Sequence, residues 1–356
     1  MALRFIEGFE NYGAASATGA TLETALKYFW PVSATTSGTA CLISTGWGGI
    51  GLCLDANTGT GARYLGQTFD AQQTWILGFA FKCSNPLPDF TRYLMQWRSG
   101  ADADANGQIS LNMTQGGQLE LRLGGSTGTL LYTSTIGFKA GSWNYIEIKC
   151  IFDNSNGTLV LRVNGEDWYN QTGIDTTNVA ANSADRIYFG LLGSLAQSCA
   201  IDDIYICDGT AGANDFLGPL KVETCIPTLD STPLNWNAST GTNHVALIDE
   251  VAPNTTDYVY ETTSGDEDRY DLANLASVSA NVVGIQLNAV TALSAAGSMS
   301  LLLPVTSGAA TDNGSNLTVN STTYSGKFRI LEQDPNTNAA WATANINAAQ
   351  IGVKVA

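Results

Sequence analysis

Residues 143–166 read WNYIEIKCIFDNSNGTLVLRVNGE, and this stretch constrains the fold more than any other. In its first half Tyr145, Glu147 and Lys149 alternate with Ile146, Ile148 and Cys150. A period of two gives a strand with one wet face and one apolar face. DNSNG has the composition of a turn, and TLVLRVNGE returns as a second alternating run, so the pair predicts an antiparallel hairpin. Comparable runs recur through the first 210 residues: TWILGFAFKC (74–83), RYLMQWRS (92–99, after the Pro-rich turn NPLPD), GQISLNMT, QLELRLG, TLLYTST, RIYFGLL and AIDDIYICDG. Strands spaced by about ten residues with turn signals between them predict an antiparallel sandwich. No 3.6-residue pattern of useful length stands out before residue 265. The composition agrees. Only 13% of residues are charged, 44% are apolar and 37 are Gly, which suits many short strands better than long helices with charged wet faces.

Around 208–219 the chain becomes DGTAGANDFLGP, small and turn-forming. The expected division is therefore a domain at 1–214 and a smaller β-rich, sandwich-like assembly domain at 219–356. In the second part DRYDLANLASV (268–278) reads as a short helix or turn, ATANINAAQ as a helical turn, and IGVKVA as a closing strand able to complete its own sheet or to extend a neighbour's.

The net charge of −16 argues against binding a phosphate backbone. No run approaches the ~20 apolar residues of a membrane helix, so no membrane insertion is expected. MALRFIEGFENYG has no apolar core of a secretory signal. The seven Cys are odd in number, form no CxxC and sit mostly in apolar runs. They are expected to be predominantly reduced, buried thiols.

Three pieces resemble a concanavalin A-like, laminin-G-like jelly-roll: TWILGFAFK, the hairpin GSWNYIEIKCIFDNSNGTLVLRVNGED, and the closing AIDDIYICDG. The resemblance covers roughly 1–210 and implies an all-β jelly-roll sandwich followed by a smaller β-rich domain. A second resemblance, carried by RFIEGFENYG, IDDIYICDGT…NDFLGPLKVET and WATANINAAQIGVKVA, is to virion structural proteins of tailed bacteriophages. It implies a non-enzymatic capsid-decoration or tail component, located in the virion after assembly in the host cytoplasm. Other virion proteins would be its partners, in a homo-oligomer such as a trimer. The alternative is an adhesin that binds a host-surface glycan. A polysaccharide hydrolase ranks third, because the Glu-x-Asp-x-x-Glu run of glycosidases resembling this fold is absent.

Individual residues carry further expectations. Asp202 and Asp203 are adjacent, so on a regular strand they face opposite ways and cannot act as an acid–nucleophile pair with each other. They are read as a structural tether, with metal binding as the lesser reading. DADANGQI places Asp102, Asp104 and Asn106 at alternate positions before Gly107, like the front half of an EF-hand loop, but position twelve is Met113. Calcium is thus the one cofactor the sequence puts forward, against the plainer reading of a polar hairpin turn. Trp47, Trp168 and Tyr169 are candidates for stacking on a glycan, against ordinary packing. Trp75, Trp97 and Trp143 read as core. His244 is the single histidine. It lacks a nucleophile elbow nearby and reads as a surface or interface residue.

Overall fold

The computed structural model describes residues 3–32, 34–35, 41–49, 51–56, 63–83, 92–190, 199–210, 214–276 and 281–356. The NPLPD turn and part of the 208–219 segment lie outside them. The chain forms two compact units, Met1–Val222 and Glu223–Ala356. The boundary falls later than the expected 214–219 because the residues just before it are bound to unit 1.

Unit 1 runs β1 (Leu3–Glu7), α1 (Gly19–Phe29), β2 (Ala34–Thr35), β3 (Cys41–Thr45), β4 (Leu52–Ala56), β5 (Arg63–Gln72), β6 (Thr74–Cys83), β7 (Arg92–Arg98) and β8 (Gly107–Met113). It continues with β9 (Gln118–Leu123), β10 (Thr129–Gly137), β11 (Trp143–Ile151), β12 (Gly157–Val163), β13 (Glu166–Ile174), β14 (Ala184–Gly190) and β15 (Cys199–Cys207). These strands make two antiparallel sheets. Sheet A has the order β13-β12-β11-β6-β15-β4-β3, with β1 also on β15; sheet B has the order β10-β9-β8-β7-β14-β5-β2. The all-β sandwich of jelly-roll type is as expected.

Alternation decides what each sheet buries. On β6 and β11, Leu77, Phe79, Ile146 and Ile148 point inward; on β7, β8 and β14, Met95, Trp97, Ile109, Leu111, Ile187 and Phe189 do the same, and all are fully buried. The sheets meet ring to ring, with Phe79 against Phe189 at 5.3 Å and Trp97 against Phe152 at 5.8 Å. Burying each such side chain is worth about 1.5–3 kcal/mol. Trp75 joins this core as expected, whereas Trp143 lies at the surface under Lys82, 4.7 Å from its ring centre. Cation–π contact keeps it half-buried instead.

Helix α1 is an element the strand pattern did not suggest. It buries Leu22, Ala25, Leu26 and Phe29, the i, i+3, i+4, i+7 spacing of one helical face. The following Trp30 packs edge-on to Phe5 (5.0 Å) and Phe189 (5.9 Å). Its Nε1–H donates to Glu7 Oε2 at 3.1 Å, which also accepts from Tyr12 OH at 2.5 Å, while Phe9 N–H donates to Glu7 Oε1 at 2.8 Å.

The last residues of unit 1 lie on the outer face of sheet A. Glu147 Oε1 accepts from Gly218 N–H at 2.8 Å and from Tyr205 OH at 2.5 Å. Asp203 Oδ1 accepts from Val222 N–H at 2.6 Å. Lys149 pairs with Asp215 at 3.3 Å, and Arg162 sits 4.4 Å above the Phe216 ring. Most of the wet face predicted for β11 is therefore covered by the chain's own continuation.

Unit 2 continues with β16 (Pro227–Leu234), β17 (Asn237–Ala238), β18 (Val259–Tyr260), β19 (Glu267–Leu272), β20 (Ile285–Thr291), β21 (Met299–Leu302) and β22 (Val305–Ser307). Then come β23 (Ala310–Asp312), β24 (Leu317–Val319), β25 (Ser325–Leu331), β26 (Gln333–Asp334), β27 (Ala339–Ala340), α2 (Thr343–Asn347) and β28 (Gln350–Val355). Its main sheet has the order β16-β19-β28-β21-β24, with β22 on β28 and β23 on β22. The core gathers Leu301, Val305, Val319, Leu331, Trp341 and Ile346.

Two expectations are corrected here. DRYDL is strand, not helix: Asp268 and Tyr270 point inward, and Tyr270 OH donates to the fully buried Asp268 at 3.0 Å. His244 is buried rather than superficial, because its Nδ1 lies 2.6 Å from Asp268 Oδ2 and Asp230 accepts the backbone N–H groups of both His244 and Val245.

The closing strand β28 pairs with β19 on one side and with β21 and β22 on the other. It completes its own sheet, and its backbone is not free to extend a neighbour's. Deleting residues 351–356 removes the middle of that sheet. Calorimetry of the truncated chain should show the unit 2 transition lost and the unit 1 transition retained; a truncated chain with both transitions intact would refute this placement of β28.

Candidate functional site

The outer face of sheet B carries polar and aromatic side chains in register across six strands. One row runs Gly66, Tyr188, Gln96, Ser110, Arg122 and Leu130. Beside it Tyr93 faces Asn112, Asn112 faces Glu120, and Glu120 faces Thr133. On the other side Thr68, Arg186 and Arg98 are opposed. These residues alternate with the core residues of the same strands, so their polarity costs the core nothing.

Glycine makes the aromatic part possible. A Cβ on Gly66 would stand 2.8 Å from the Tyr188 ring, and one on Gly190 would stand 3.1 Å from the Tyr93 ring. Both rings therefore approach bare backbone more closely than a side chain there would allow. Tyr188 is held further by Tyr64 at 5.4 Å and by Arg98, whose guanidinium carbon lies 4.0 Å from the ring centre.

Two loops are fastened onto this face. In 99–106, Asp102 Oδ1 accepts from Tyr188 OH at 2.5 Å and lies 2.8 Å from Arg186 Nε. Asp104 accepts from the Gln96 amide at 2.9 Å and from Ser126 N–H and Oγ–H at 3.2 Å. Arg98 also donates to the Asp102 carbonyl and to Gln96 Oε1. In 124–128, Gly125 O accepts from Ser110 Oγ at 3.0 Å, Ser126 O from Asn112 Nδ2 at 2.7 Å, and Gly128 O from Arg122 Nη1 at 2.9 Å.

This arrangement bears on calcium. Asp102 and Asp104 point to different partners, and Asn106 donates its amide to Ser99 O at 3.2 Å. Asp102 faces the Arg186 guanidinium at 2.8 Å and Asp104 the Arg98 guanidinium at 3.9 Å. The three residues do not fit a calcium ion, since hard cations need converging oxygens without competing positive charge. Among the described residues no group of three or more His, Cys, Asp or Glu is placed to hold a metal.

The less enclosed residues of the face are spread across the sheet, from Tyr64 on β5 and Tyr93 on β7 to Glu120 and Arg122 on β9. Tyr64 and Tyr93 are half-buried. Burial pushes the Tyr93 phenol up to about 12, against the pull of the nearby Arg98 charge, so at neutral pH it is a hydrogen-bond donor. Arg122 grips Glu120 through Nε and Nη2 at 3.0 and 2.7 Å, with its side chain 22% exposed. Asn112 Oδ1 is buried with no hydrogen-bond partner among the described residues, a state that costs about 1–3 kcal/mol unless something donates to it. The sequence pattern singled out none of these residues.

The stacking candidates lie elsewhere and are each packed on another ring. Trp47 is 5.2 Å from Tyr145, Trp168 is 5.9 Å from Phe138, and Tyr169 is 4.9 Å from Tyr132. All three are half-buried.

Asp202 and Asp203 do not alternate as a regular strand would have them. The register of β15 on β6 shifts between Asp202 and Tyr205, and Asp203 has φ 47°. A bulge sets two residues against one on the partner strand. Both carboxylates consequently reach partners on the outer side of sheet A: Asp202 accepts from Trp47 N–H at 2.7 Å and from Asp203 N–H at 2.8 Å, and Asp203 from Val222 N–H. Glu10 joins them, accepting from Leu52 N–H at 3.4 Å. Burial raises Asp202 well above the usual carboxylate range, with the Asp203 charge adding to it. Burial likewise pushes Glu10 up to about 8, with lesser contributions from the Asp203 and Glu7 charges.

No family model matches this chain, and no curated protein does. Among solved structures it is similar to alginate lyase Aly36B, at 13% identity over 57% of this chain and 95% of that one, TM-score 0.40. It is similar to domain 4 of AbnA, a GH43 extracellular arabinanase from Geobacillus stearothermophilus bound to arabinotriose, at 14% identity over 58% and 92%, TM-score 0.37. It is also similar to the carbohydrate esterase vb_24B_21 from the Shiga toxin-encoding bacteriophage phi24B, at 16% identity over 57% and 99%, TM-score 0.37. All three are carbohydrate-active by name. On this finding the expectations of a virion structural protein and of a non-enzyme are withdrawn. At such identities and TM-scores the likenesses transfer no substrate, reaction or residue.

The raised carboxyls have a direct consequence for stability. Folded, Glu10 keeps its proton up to about pH 8; unfolded, it loses it near its ordinary value of 4.5. The folded state thus binds more protons across that window, and its stability falls as pH rises through it, by at most about 1.4 kcal/mol for each pH step of one. Glu10→Gln should flatten the fall between roughly pH 5 and pH 8 in denaturant titrations. An identical pH profile in the variant would refute the assignment.

Proposed function

We propose that unit 1 recognises a glycan on the outer face of sheet B, in the part bounded by Tyr64, Tyr93, Asn112, Glu120 and Arg122. The observation that carries this reading is a pair of half-buried tyrosines and the partly exposed Arg122–Glu120 ion pair brought onto one face by the sheet. Sugars present hydroxyls that both donate and accept, together with apolar C–H faces. The Arg122–Glu120 pair offers a donor and an acceptor side by side, and a tyrosine ring offers a face for C–H contact.

The charge of the face favours a neutral sugar over a strongly ionic one. Its arginines are already paired: Arg98 and Arg186 with the aspartates of the 99–106 loop, Arg122 with Glu120. An anionic saccharide would have to displace those carboxylates.

The test is a glycan array with the whole chain, followed by calorimetry on any hit and by measurement of new reducing ends in the same mixtures, so that binding and turnover are read together. Tyr93→Ala and Arg122→Ala should each weaken binding about tenfold, the equivalent of ~1.4 kcal/mol, while Lys149→Ala on sheet A leaves it unchanged. Binding that survives both sheet B substitutions, or an array with no hit, would rule the site out.

A further inference from the structure

Cys83 ends β6 and Cys199 begins β15, and the ladder between these two strands places them directly opposite each other. Their Sγ atoms are 2.6 Å apart. Directly opposed residues of an antiparallel pair have Cα atoms about 4.5–5.5 Å apart, inside the ~4.4–6.8 Å window of a disulfide. The sulfurs are turned toward each other, within about 0.6 Å of the ~2.05 Å covalent length. No other two described cysteines share this geometry. Cys53 lies 3.2 Å from Ser44 Oγ and donates to Thr45 O; Cys150 opposes Trp75 and Leu159, Cys207 opposes Ile76 and Leu3, and Cys225 belongs to unit 2.

We propose that Cys83 and Cys199 form a redox clasp across the middle of sheet A, present as two thiols in reducing surroundings and as a disulfide in oxidising ones. The oxidant is a small-molecule disulfide. The thiolate of one cysteine attacks it, forms a mixed disulfide and releases one small thiol. The second cysteine, giving up its proton, attacks the protein-bound sulfur and releases the other. Two protein thiols lose two electrons and two protons, and one small disulfide becomes two thiols. The clasp closes a loop of more than one hundred residues within unit 1, where restricting the unfolded chain has its largest effect. It leaves the remaining cysteines as thiols, in keeping with their odd number.

Both cysteines are buried, at 4% and 2% exposure, and the contact with Cys83, together with burial, raises the Cys199 thiol above its ordinary range. Exchange on the folded protein is therefore slow, and the clasp forms as the chain folds. The test follows from this. The full chain is unfolded with reductant, refolded in a mixture of oxidised and reduced glutathione, quenched with N-ethylmaleimide, digested without reductant and mapped by mass spectrometry. Peptides carrying Cys83 and Cys199 should be cross-linked, and the other five cysteines alkylated. Protein refolded and melted in reductant throughout should have a unit 1 melting midpoint lower than that of the glutathione-refolded protein by the order of 10 °C. Cys225→Ser should behave as the unaltered chain, and Cys199→Ser should lose both the cross-link and the sensitivity to reductant. Seven alkylated cysteines in refolded protein of native circular dichroism, or Cys83 joined to any other cysteine, would overturn the proposal. The map on the unaltered chain decides it even where Cys199→Ser does not fold.

Discussion

Buried carboxylates that accept backbone N–H groups hold unit 1 together beyond its core. Glu7 takes the N–H of Phe9, Glu147 that of Gly218, Asp202 that of Trp47 and Asp203 that of Val222. Each joins a sheet residue to irregular chain that would otherwise bring unpaired donors against a protein surface. An unmade bond of this kind costs more than a made one contributes, about 1–3 kcal/mol against about 1. The irregular segments are thus fixed by what they would lose on leaving. The same interaction accounts for the adjacent aspartates of AIDDIYICDG. The bulge at Asp203 brings a second carboxylate to the same side, so one strand fastens two segments, at Trp47 and at Val222.

The two sheets use their outer faces differently. Sheet A covers much of its own with residues 215–222 through Glu147, Asp203, Lys149 and Arg162. Sheet B fastens one loop through Arg98, Arg186, Asp102 and Asp104 and a second through Ser110, Asn112 and Arg122, and leaves Tyr64, Tyr93, Glu120 and part of Arg122 less covered. The glycan reading belongs to sheet B for that reason. Its charged groups orient one another first, which gives a rigid polar surface of the kind recognition needs.

The sandwich was legible because its signal is local. In WNYIEIKCIF every second residue states which face it occupies, and the observed register keeps Ile146 and Ile148 in the core and Glu147 outside. Helix α1 was not read: Leu22, Ala25, Leu26 and Phe29 have helical spacing, but a short apolar stripe among glycines and threonines was too weak a pattern to stand out beside the strands. The candidate site was not legible. Tyr64, Tyr93, Asn112 and Arg122 come from four strands spread over residues 63–123 and share a face only through sheet order, which alternation does not encode. DADAN pointed to calcium because alternate oxygens in a loop look alike whether they meet a cation or a guanidinium. Arg98 and Arg186 face these carboxylates, and neither is part of the motif. DRYDL was misread because Asp268 is buried for the sake of His244, Trp236 and Tyr270, partners a local pattern does not show.

In both units the strand that joins the sheet together is made last. β15 lies between β6 and the β4 and β1 strands that precede it by well over one hundred residues, and β28 lies between β19 and β21. Contacts of this sequence separation are slow to form, because a long loop must close before they give anything back. As the chain leaves the ribosome, each unit must therefore wait with open sheet edges until its final strand arrives. The two halves of the molecule become native in two late steps, one near residue 207 and one near residue 355, with an exposed, half-built sheet before each.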